Sequence, residues 1–279
     1  KMKSVDKEKD VDESLALIES WESEIIVTTF IQLFHTLIGY KNRSLKKFHN
    51  IVNAIVILDE VQNIPIEYWN LVREVLIGMA KYFNCRIILM TATKPLIFEE
   101  GEYKELVNNY EKYFESEELN RVCLHIDRQG KQILDFCEEL VDWSKNSYLF
   151  VFNTIGASLE FYDEIKDRIQ ESGFRLYYLS TSIVPKERRK RIEEIRGLIK
   201  DNQKVVVVTT QLIEAGVDID CDCVYRDIGP LDSIIQVAGR CNRNKRNEMS
   251  RVEIIDLRKI TERGGEKKYA DYIYDKVLL

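Results

Sequence analysis

Short, unbroken apolar runs alternate with stretches of helical periodicity, and this alternation constrains the fold more than any other feature. The run from Ile51 to Leu58 is rich in β-branched residues, as is typical of a parallel strand covered on both faces. Apolar residues at helical spacing follow between Ile66 and Phe83. Because alternating strands and helices build parallel sheets, the sequence predicts an α/β fold.

The alternation occurs in two blocks, separated by an acidic, polar stretch at residues 99–118. The first block predicts strands at Glu24–Thr29, Ile51–Leu58 and Arg86–Met90, and helices at Phe30–Ile38 and Ile66–Phe83. The second predicts strands at Tyr148–Phe152, Arg175–Leu179, Val205–Thr209, Cys223–Asp227 and Val252–Asp256, and helices at Ala157–Ile169, Lys186–Ile199 and Ser233–Cys241. We therefore predict a first lobe at residues 1–98, a connection at residues 99–120 and a second lobe at residues 121–279.

The composition is that of a soluble globular protein. The chain has 279 residues, of which 45% are hydrophobic and 32% charged, enough for two domains of ordinary size. No apolar run approaches the roughly 18–20 residues of a membrane span, and the charged N-terminus does not read as a signal peptide. Six cysteines without a Cys-x-x-Cys pair are expected to be buried or half-buried in a cytosolic protein. We therefore expect a cytoplasmic location and no membrane partner.

The net charge of −6 argues against a protein that coats nucleic acid by charge alone. Two local basic patches, Lys186–Arg191 and Arg240–Arg246, are nevertheless compatible with a motor that moves along nucleic acid. A solvated helix face explains the first patch equally well.

Two adjacent carboxylates, Asp59 and Glu60, end the first long apolar run. A carboxylate at the end of a buried strand can hold Mg²⁺, directly or through water, and its neighbour can polarise an attacking water. The alternative is an acidic turn that caps the helix after Pro65.

Two arginines follow a glycine near the end of the second block. Gln236, Arg240 and Arg243 stand at i, i+4 and i+7, which predicts that they share one side of a helix. Such a row can face a polyphosphate, because planar guanidinium groups match phosphate oxygens. The alternative is a basic, solvated helix, but the interior Gly239 weakens it, since glycine costs about 1 kcal/mol of helix propensity. A close approach to another group would explain that glycine.

The stretch from Thr209 to Asp220 follows a buried strand and combines hydroxyl side chains with a glycine. Thr210 and Gly216 suit a close approach of the backbone to a phosphate or a sugar. Asp218 can meet a ribose or one of the arginines. An ordinary turn is the alternative.

Together, these blocks resemble motifs II, III, V and VI of superfamily 2 helicases. Asp59-Glu60-Val61-Gln62 resembles the DExH/Q box, and Thr91-Ala92-Thr93 resembles the motif that couples hydrolysis to strand movement. Three flanking blocks are similar to the CRISPR-associated helicase of type I interference systems: Val27 to Phe34, His49 to Ile51 and Gln211 to Asp218. The resemblance covers roughly residues 20 to 257, and it implies two RecA-like lobes with mainly parallel sheets, the first lobe being incomplete.

The resemblance implies a role for each matching residue. Asp59 would hold Mg²⁺, Glu60 would be the catalytic base, and Gln62 would be a coupling residue that also belongs to the nucleotide site. Gln236, Arg240 and Arg243 would engage the γ-phosphate of ATP, within a nucleotide site that also includes Gly216, Asp218 and Gly239. The residues in blocks that line the DNA path, or link it to the ATP site, are Thr28, Thr29, Thr93, Ser180 and Thr210.

The resemblance also implies partners and a missing part. In that family the helicase acts on single-stranded DNA with a CRISPR-RNA-guided surveillance complex and a His-Asp nuclease, which is a fused domain or a separate subunit. The sequence contains no His-Asp nuclease domain and no Gly-x-x-x-x-Gly-Lys-Ser/Thr phosphate loop. The family has that loop upstream of Thr28, so we expect it before residue 1, and we expect these 279 residues alone not to hydrolyse ATP.

Two other interpretations remain open at the level of sequence. The chain can be a motor-like module that binds or regulates without hydrolysis. It can also be part of another superfamily 2 motor, such as a repair or restriction helicase.

Overall fold

This computed structural model describes residues 19–91, 97–116, 119–140, 143–214, 216–261 and 264–274. The chain divides into two compact units, residues 1–106 and residues 107–279. The division lies inside the stretch 99–120 that the sequence predicts as a connection, while the predicted lobe boundaries themselves stay a prediction.

The first unit is built on two parallel strands, β1 (Ile55–Asp59) and β2 (Arg86–Met90). Its helices are α1 (Phe30–Ile38), α2 (Asn42–Phe48) and α3 (Trp69–Tyr82), with 3₁₀ turns at His49–Ile51, Val61–Asn63 and Ile66–Tyr68. The predicted helix at 30–38 and the predicted strand at 86–90 are confirmed. The helix predicted from Ile66 starts as a 3₁₀ turn and becomes α-helical at Trp69, and the strand predicted from Ile51 begins only at Ile55.

One face of the two strands carries the core of this unit. Val72, Leu76 and Met79 recur at helical spacing on α3 and are buried against Leu58 and its neighbours. Successive residues of a strand point to opposite faces, so Ile57 lies on the other face, where it is 59% exposed. Within the described part of the chain, therefore, β1 is covered on one face only.

The strand predicted at Glu24–Thr29 is wrong. These residues form no strand, and Val27 is 96% exposed. An isolated extended segment gains neither ladder hydrogen bonds nor burial, which its β-branched residues need in order to favour a strand. Thr29 has another structural task, since its hydroxyl caps α1 by accepting from the backbone N–H of Gln32 at 3.3 Å.

The second unit is a larger α/β unit. Its strands are β3 (Val122–Lys131), β4 (Ser147–Val151), β5 (Arg175–Leu179), β6 (Val205–Thr209), β7 (Cys223–Asp227), β8 (Ser250–Ile260) and β9 (Glu266–Lys268). Its helices are α4 (Glu111–Phe114), α5 (Ile133–Glu139), α6 (Ile155–Glu171), α7 (Pro185–Lys200) and α8 (Leu231–Ala238), with 3₁₀ turns at Gln211–Ile213 and Ala270–Tyr272.

Six of these strands form a parallel sheet in the order β3–β8–β7–β4–β6–β5, and β9 pairs with β8 in the antiparallel sense. The central strands are buried on both faces, as their unbroken apolar runs predict. Phe150 and Val208 point to a core that includes Phe161 of α6, whereas Leu149 points to the core on the opposite face, which includes Ile195 of α7. The predicted parallel α/β fold is confirmed.

The sequence did not predict β3 and α5. Most side chains of β3 are exposed, because this strand lies at the edge of the sheet, and it therefore lacks the apolar run that marks the central strands. Cys123 of β3 is exposed, which corrects the expectation that all six cysteines are covered; the other five are buried, and all six are free. Among the described residues, no helix combines the length and apolar content that a membrane crossing needs.

Candidate functional site

The predicted catalytic carboxylates lie at the carboxyl end of β1. Asp59 is the last residue of the strand, and Glu60 follows in the left-handed conformation, with φ 56° and ψ 44°. This conformation is uncommon for a residue other than glycine, and such strained positions cluster at functional sites. It turns the chain sharply into the 3₁₀ turn Val61–Asn63.

The side chain of Gln62 links Glu60 to the end of β2. Its amide Nε2 donates to Oε2 of Glu60, and its Oε1 accepts a hydrogen bond from Oγ1 of Thr91 at 2.6 Å. Thr91 directly follows β2, which pairs with β1, so the carboxyl ends of both strands meet at this point. A change at Glu60 can therefore reach the Thr-Ala-Thr segment through one side chain. Thr93 of that segment lies outside the described residues.

The surroundings of Asp59 fit a magnesium ion that is held mainly by a nucleotide. The Asp59 side chain is exposed and makes no hydrogen bond or ion pair with any other described residue. Within the described ranges, no three His, Cys, Asp or Glu side chains converge on a common point. Proteins usually bind Mg²⁺ through one or two carboxylates, waters and substrate phosphates rather than through a complete protein cage, so one accessible carboxylate suits this task.

The hydroxyls that the sequence assigns to the DNA path fall into two groups. Thr28 and Thr29 are exposed before α1. Ser180 and Thr210 follow β5 and β6 and are buried, Ser180 completely so. Because both side chains are buried, Ser180 and Thr210 are better suited to linking the DNA path to the ATP site than to touching DNA directly.

The predicted row of Gln236, Arg240 and Arg243 on one helix is wrong. The helix α8 ends at Ala238, and Gly239 caps it with φ −61°. The chain then pairs with the segment before β7: the N–H of Cys221 donates to the carbonyl of Arg240, and the N–H of Asn242 to the carbonyl of Cys221, both at 2.9 Å. This bridge buries Cys241 completely, a gain that a continued helix would forfeit.

Gln236 and Gly239 keep positions near the arginines. Gln236 is half-buried on α8. A Cβ at Gly239 would lie 3.3 Å from the carbonyl oxygen of Gln236 and 3.6 Å from that of Ile235, both in the preceding turn of the same helix. These are ordinary spacings for a helical side chain, so the described residues show no close approach that requires a glycine here.

Arg240 is anchored to the turn after β6. Its Nε donates to the carbonyl of Ile213 at 3.0 Å and its Nη2 to the carbonyl of Glu214 at 2.7 Å. The guanidinium plane is therefore fixed by two backbone oxygens of the stretch from Thr209 to Asp220. In the same turn, Gly216 adopts φ 72°, where a side chain would be strained.

Arg243 is held more loosely. Its Nη1 lies 2.8 Å from Oδ1 of Asp218, and both side chains are largely exposed. Of the two contacts foreseen for Asp218, the structure thus contains the one with an arginine. Exposed pairs of this kind contribute about 0–1 kcal/mol, so Arg243 can exchange Asp218 for another anion at little cost.

Asp220 fixes the loop that carries the arginines, and the sequence interpretation missed it. Its carboxylate accepts from the backbone N–H of Arg243 at 2.6 Å, from that of Asn244 at 3.2 Å, and from Nε of Arg246 at 3.1 Å. The signal was present, because carboxylates at 218, 220 and 222 alternate with apolar residues. This period of two is typical of an extended segment with one acidic side, facing the basic patch 240–246.

A buried polar cluster around Arg226 was also missed. Arg226 on β7 is 0% exposed and donates from Nη1 to Oδ1 of Asn153 at 2.7 Å. Burial raises the pKa of the neighbouring Asp227 to about 7. The charge of Arg226 and the hydrogen bonds that Asp227 accepts from Asn153 and Leu257 lower this pKa, but less than burial raises it. The sequence contained one signal for this cluster, namely the arginine inside the predicted strand Cys223–Asp227.

Comparison with known families and proteins supports the resemblance read from the motifs. Residues 144–246 match the family model described as CRISPR-associated nuclease/helicase Cas3, C-terminal. The CRISPR-associated nuclease/helicase Cas3 of Haloferax volcanii is 27% identical over 81% of this chain and 34% of its own length. The chain is thus related to the Cas3 nuclease/helicases, and it spans about a third of the length of the curated relatives it matches.

Solved structures agree on the fold. T. fusca Cas3 with AMPPNP superimposes with a TM-score of 0.68 at 16% identity, over 90% of this chain and 34% of the other. A chain of a CRISPR RNA-guided surveillance complex, pre-nicking, gives a TM-score of 0.61 at 15% identity, over 81% and 34%. The α/β architecture is therefore shared with Cas3, and the predicted resemblance to the CRISPR-associated helicases is supported by the matching family model and relatives.

Proposed function

We propose that the complete protein is an ATP-dependent DNA translocase of CRISPR interference, and that this chain carries part of its motor. The observation that supports this most is the continuous contact from Glu60 through Gln62 to Thr91. A motor must transmit the state of its hydrolytic site to the segments that hold DNA. This contact joins the proposed base to the proposed coupling motif by a single side chain.

The proposed chemistry divides among a few groups. Mg²⁺, when bound with ATP, neutralises charge on the transferred phosphoryl group; Asp59 would hold it. Glu60 would accept a proton from the attacking water. Arg240 and Arg243 would stabilise the charge that develops on the γ-phosphate, for which planar guanidinium groups are suited.

The proposed partners are single-stranded DNA, a CRISPR-RNA-guided surveillance complex and a His-Asp nuclease domain or subunit. The relation to proteins named as nuclease/helicases and the fold shared with a chain of a surveillance complex support these partners. The exposed hydroxyls of Thr28 and Thr29 suit contacts with the phosphate backbone, which carry no base preference.

Phosphate release by the complete protein, with and without single-stranded DNA and Mg²⁺, tests this proposal. Glu60→Gln should abolish turnover and leave ATP affinity largely intact, because it removes the base but keeps the shape. The exposed Glu67 nearby provides a matched control, and Glu67→Gln should retain full turnover.

Two outcomes would contradict the proposal. A complete protein that binds DNA but releases no phosphate would be a binding module. Equal losses of affinity and turnover in Glu60→Gln would give Glu60 a structural role. The 279-residue chain alone, which lacks a phosphate loop sequence, should release no phosphate above background in the same assay.

A further inference from the structure

Arg226 occupies a position where a charged side chain loses the free energy of hydration. It is completely buried on the central strand β7, and desolvating a guanidinium costs several kcal/mol unless its partners compensate. Its Nε has no hydrogen-bond partner among the described residues. Apolar replacements of buried ion pairs are often neutral or stabilising, so stability alone does not account for an arginine here.

The guanidinium joins four separate segments of the chain. Besides Asn153, which follows β4, its Nη2 contacts Oε1 of Glu214 at 3.1 Å, Oγ of Ser233 at 2.7 Å and Oη of Tyr274 at 3.0 Å. A Cβ at Gly229 would lie 3.2 Å from Nη2, so the glycine keeps room for this group. The segments that converge on Arg226 include the turn after β6 and the first turn of α8.

Glu214 connects this cluster to the proposed phosphate-binding arginine. Its side chain is held by Nη2 of Arg226 and by the hydroxyl of Ser233, which donates to Oε1 at 2.6 Å. Its backbone carbonyl accepts from Nη2 of Arg240 at 2.7 Å. One residue is therefore fixed by Arg226 on its side chain and orients Arg240 with its backbone.

We propose that Arg226 is a positioning residue for ATP hydrolysis: through Glu214 it fixes the two carbonyls that orient Arg240. This inference rests on the proposed function, since it takes Arg240 to act on the γ-phosphate. A guanidinium must present its planar fork within a narrow range of orientations to stabilise a transition state. Arg226 is buried and need not touch ATP to affect turnover.

The test measures turnover and the KM for ATP in the complete protein for Arg226→Lys, Arg240→Ala and the double variant. A lysine keeps the charge but cannot bond Asn153, Glu214 and Ser233 together. Arg226→Lys should lower kcat roughly tenfold and leave the KM for ATP nearly unchanged, which is within the range of couplings inside one hydrogen-bond network. The double variant should match Arg240→Ala alone, because there is then no arginine left to position.

A matched control separates positioning from loss of stability. Asp256 on β8 is also buried and pairs with Arg258 at 2.8 Å and Lys268 at 3.4 Å, with no contact to Glu214 among those the structure describes. Asp256→Asn should lower the melting temperature without lowering kcat at 25 °C. If Arg226→Lys gives no soluble protein, Ser233→Ala replaces it, with an expected loss of about threefold and the same non-additivity.

Each result has one meaning. A wild-type protein without ATPase activity refutes the proposed function and this inference with it. Two results overturn this inference and leave the proposed function standing, provided that the wild type is active. One is an unchanged kcat in Arg226→Lys, or in its replacement Ser233→Ala. The other is a double variant in which the two single losses multiply.

Discussion

The candidate groups of the two units are held in opposite ways. Asp59 lies at the end of β1 with an exposed side chain that has no partner among the described residues, and the side chain of Glu60 accepts a hydrogen bond from Gln62. In the second unit, Arg240 is fixed by two carbonyls and its loop by Asp220. Carboxylates that take up a metal and a water must stay accessible, whereas a guanidinium is useful only in a defined orientation. The anchoring of Asp59, Glu60 and Arg240 thus matches their proposed tasks, whereas Arg243, whose side chain pairs with the exposed Asp218, is held more loosely.

The largest effect should come from the anchored arginine. Arg240→Ala in the complete protein should lower ATP turnover roughly 10³-fold, the scale of a lost arginine finger, and Arg240→Lys should recover little. It should also lower the free energy of unfolding by about 1–2 kcal/mol, because two carbonyls lose their donor. Steady-state turnover beside denaturant unfolding measures both.

Arg243→Ala provides the contrast within the same loop. Its turnover loss should be similar if Arg243 also engages the γ-phosphate, but its loss of stability should stay below about 1 kcal/mol, since Asp218 is an exposed partner. Normal DNA-free turnover in both alanine variants, with DNA binding weakened and less salt-dependent, would instead make this loop a DNA-binding surface.

The next effect concerns the two sheets. Leu149 of β4 is completely buried, whereas Ile57 of β1 is largely exposed. Leu149→Ala should destabilise the second unit by roughly 2–5 kcal/mol. Ile57→Ala in the same chain should cost less than about 0.5 kcal/mol. Denaturant unfolding of the chain checks both values, and a large loss for Ile57→Ala would mean that the bare face of β1 is covered in solution.

A further effect should appear as a dependence on pH. Burial raises the pKa of Asp227 from 3.8 to about 7; the folded chain therefore holds this proton more tightly than the unfolded chain. Its contribution to stability is complete below about pH 4 and is lost as pH rises through 7, with a slope of up to roughly 1.4 kcal/mol per pH unit. Asp227→Asn should flatten the unfolding free energy between pH 4 and pH 7. An unchanged slope would show that Asp227 does not titrate in this range.

Sequence reasoning worked best where burial alone decides the structure. β5, β6 and β7 have the predicted limits. β6 is an unbroken apolar run inside the sheet, which has few alternatives, and β5, although it lies at the edge opposite β3, ends in the buried pair Tyr178 and Leu179. It failed at Glu24–Thr29 and at the edge strand β3, where pairing or its absence, rather than composition, sets the conformation.

The candidate site shows the same limit. The sequence predicts roles for Asp59, Glu60 and Arg240 from the runs beside which they stand, and these roles stay predictions. It could not predict that α8 ends at Ala238. After this end, the backbone of Cys241 forms a β-bridge with that of Cys221, which lies 20 positions earlier in the chain. The contacts of Arg226 with Asn153 and Tyr274 are likewise long-range, and no local pattern reports them.

The most direct test of the account is movement along DNA. The complete protein should displace streptavidin from the end of biotinylated single-stranded DNA when ATP and Mg²⁺ are present. Glu60→Gln should bind the same DNA with unchanged affinity and displace none. Displacement by Glu60→Gln at the wild-type rate, or its absence in a wild-type protein that binds DNA and hydrolyses ATP, would contradict the claim that hydrolysis at Glu60 drives translocation.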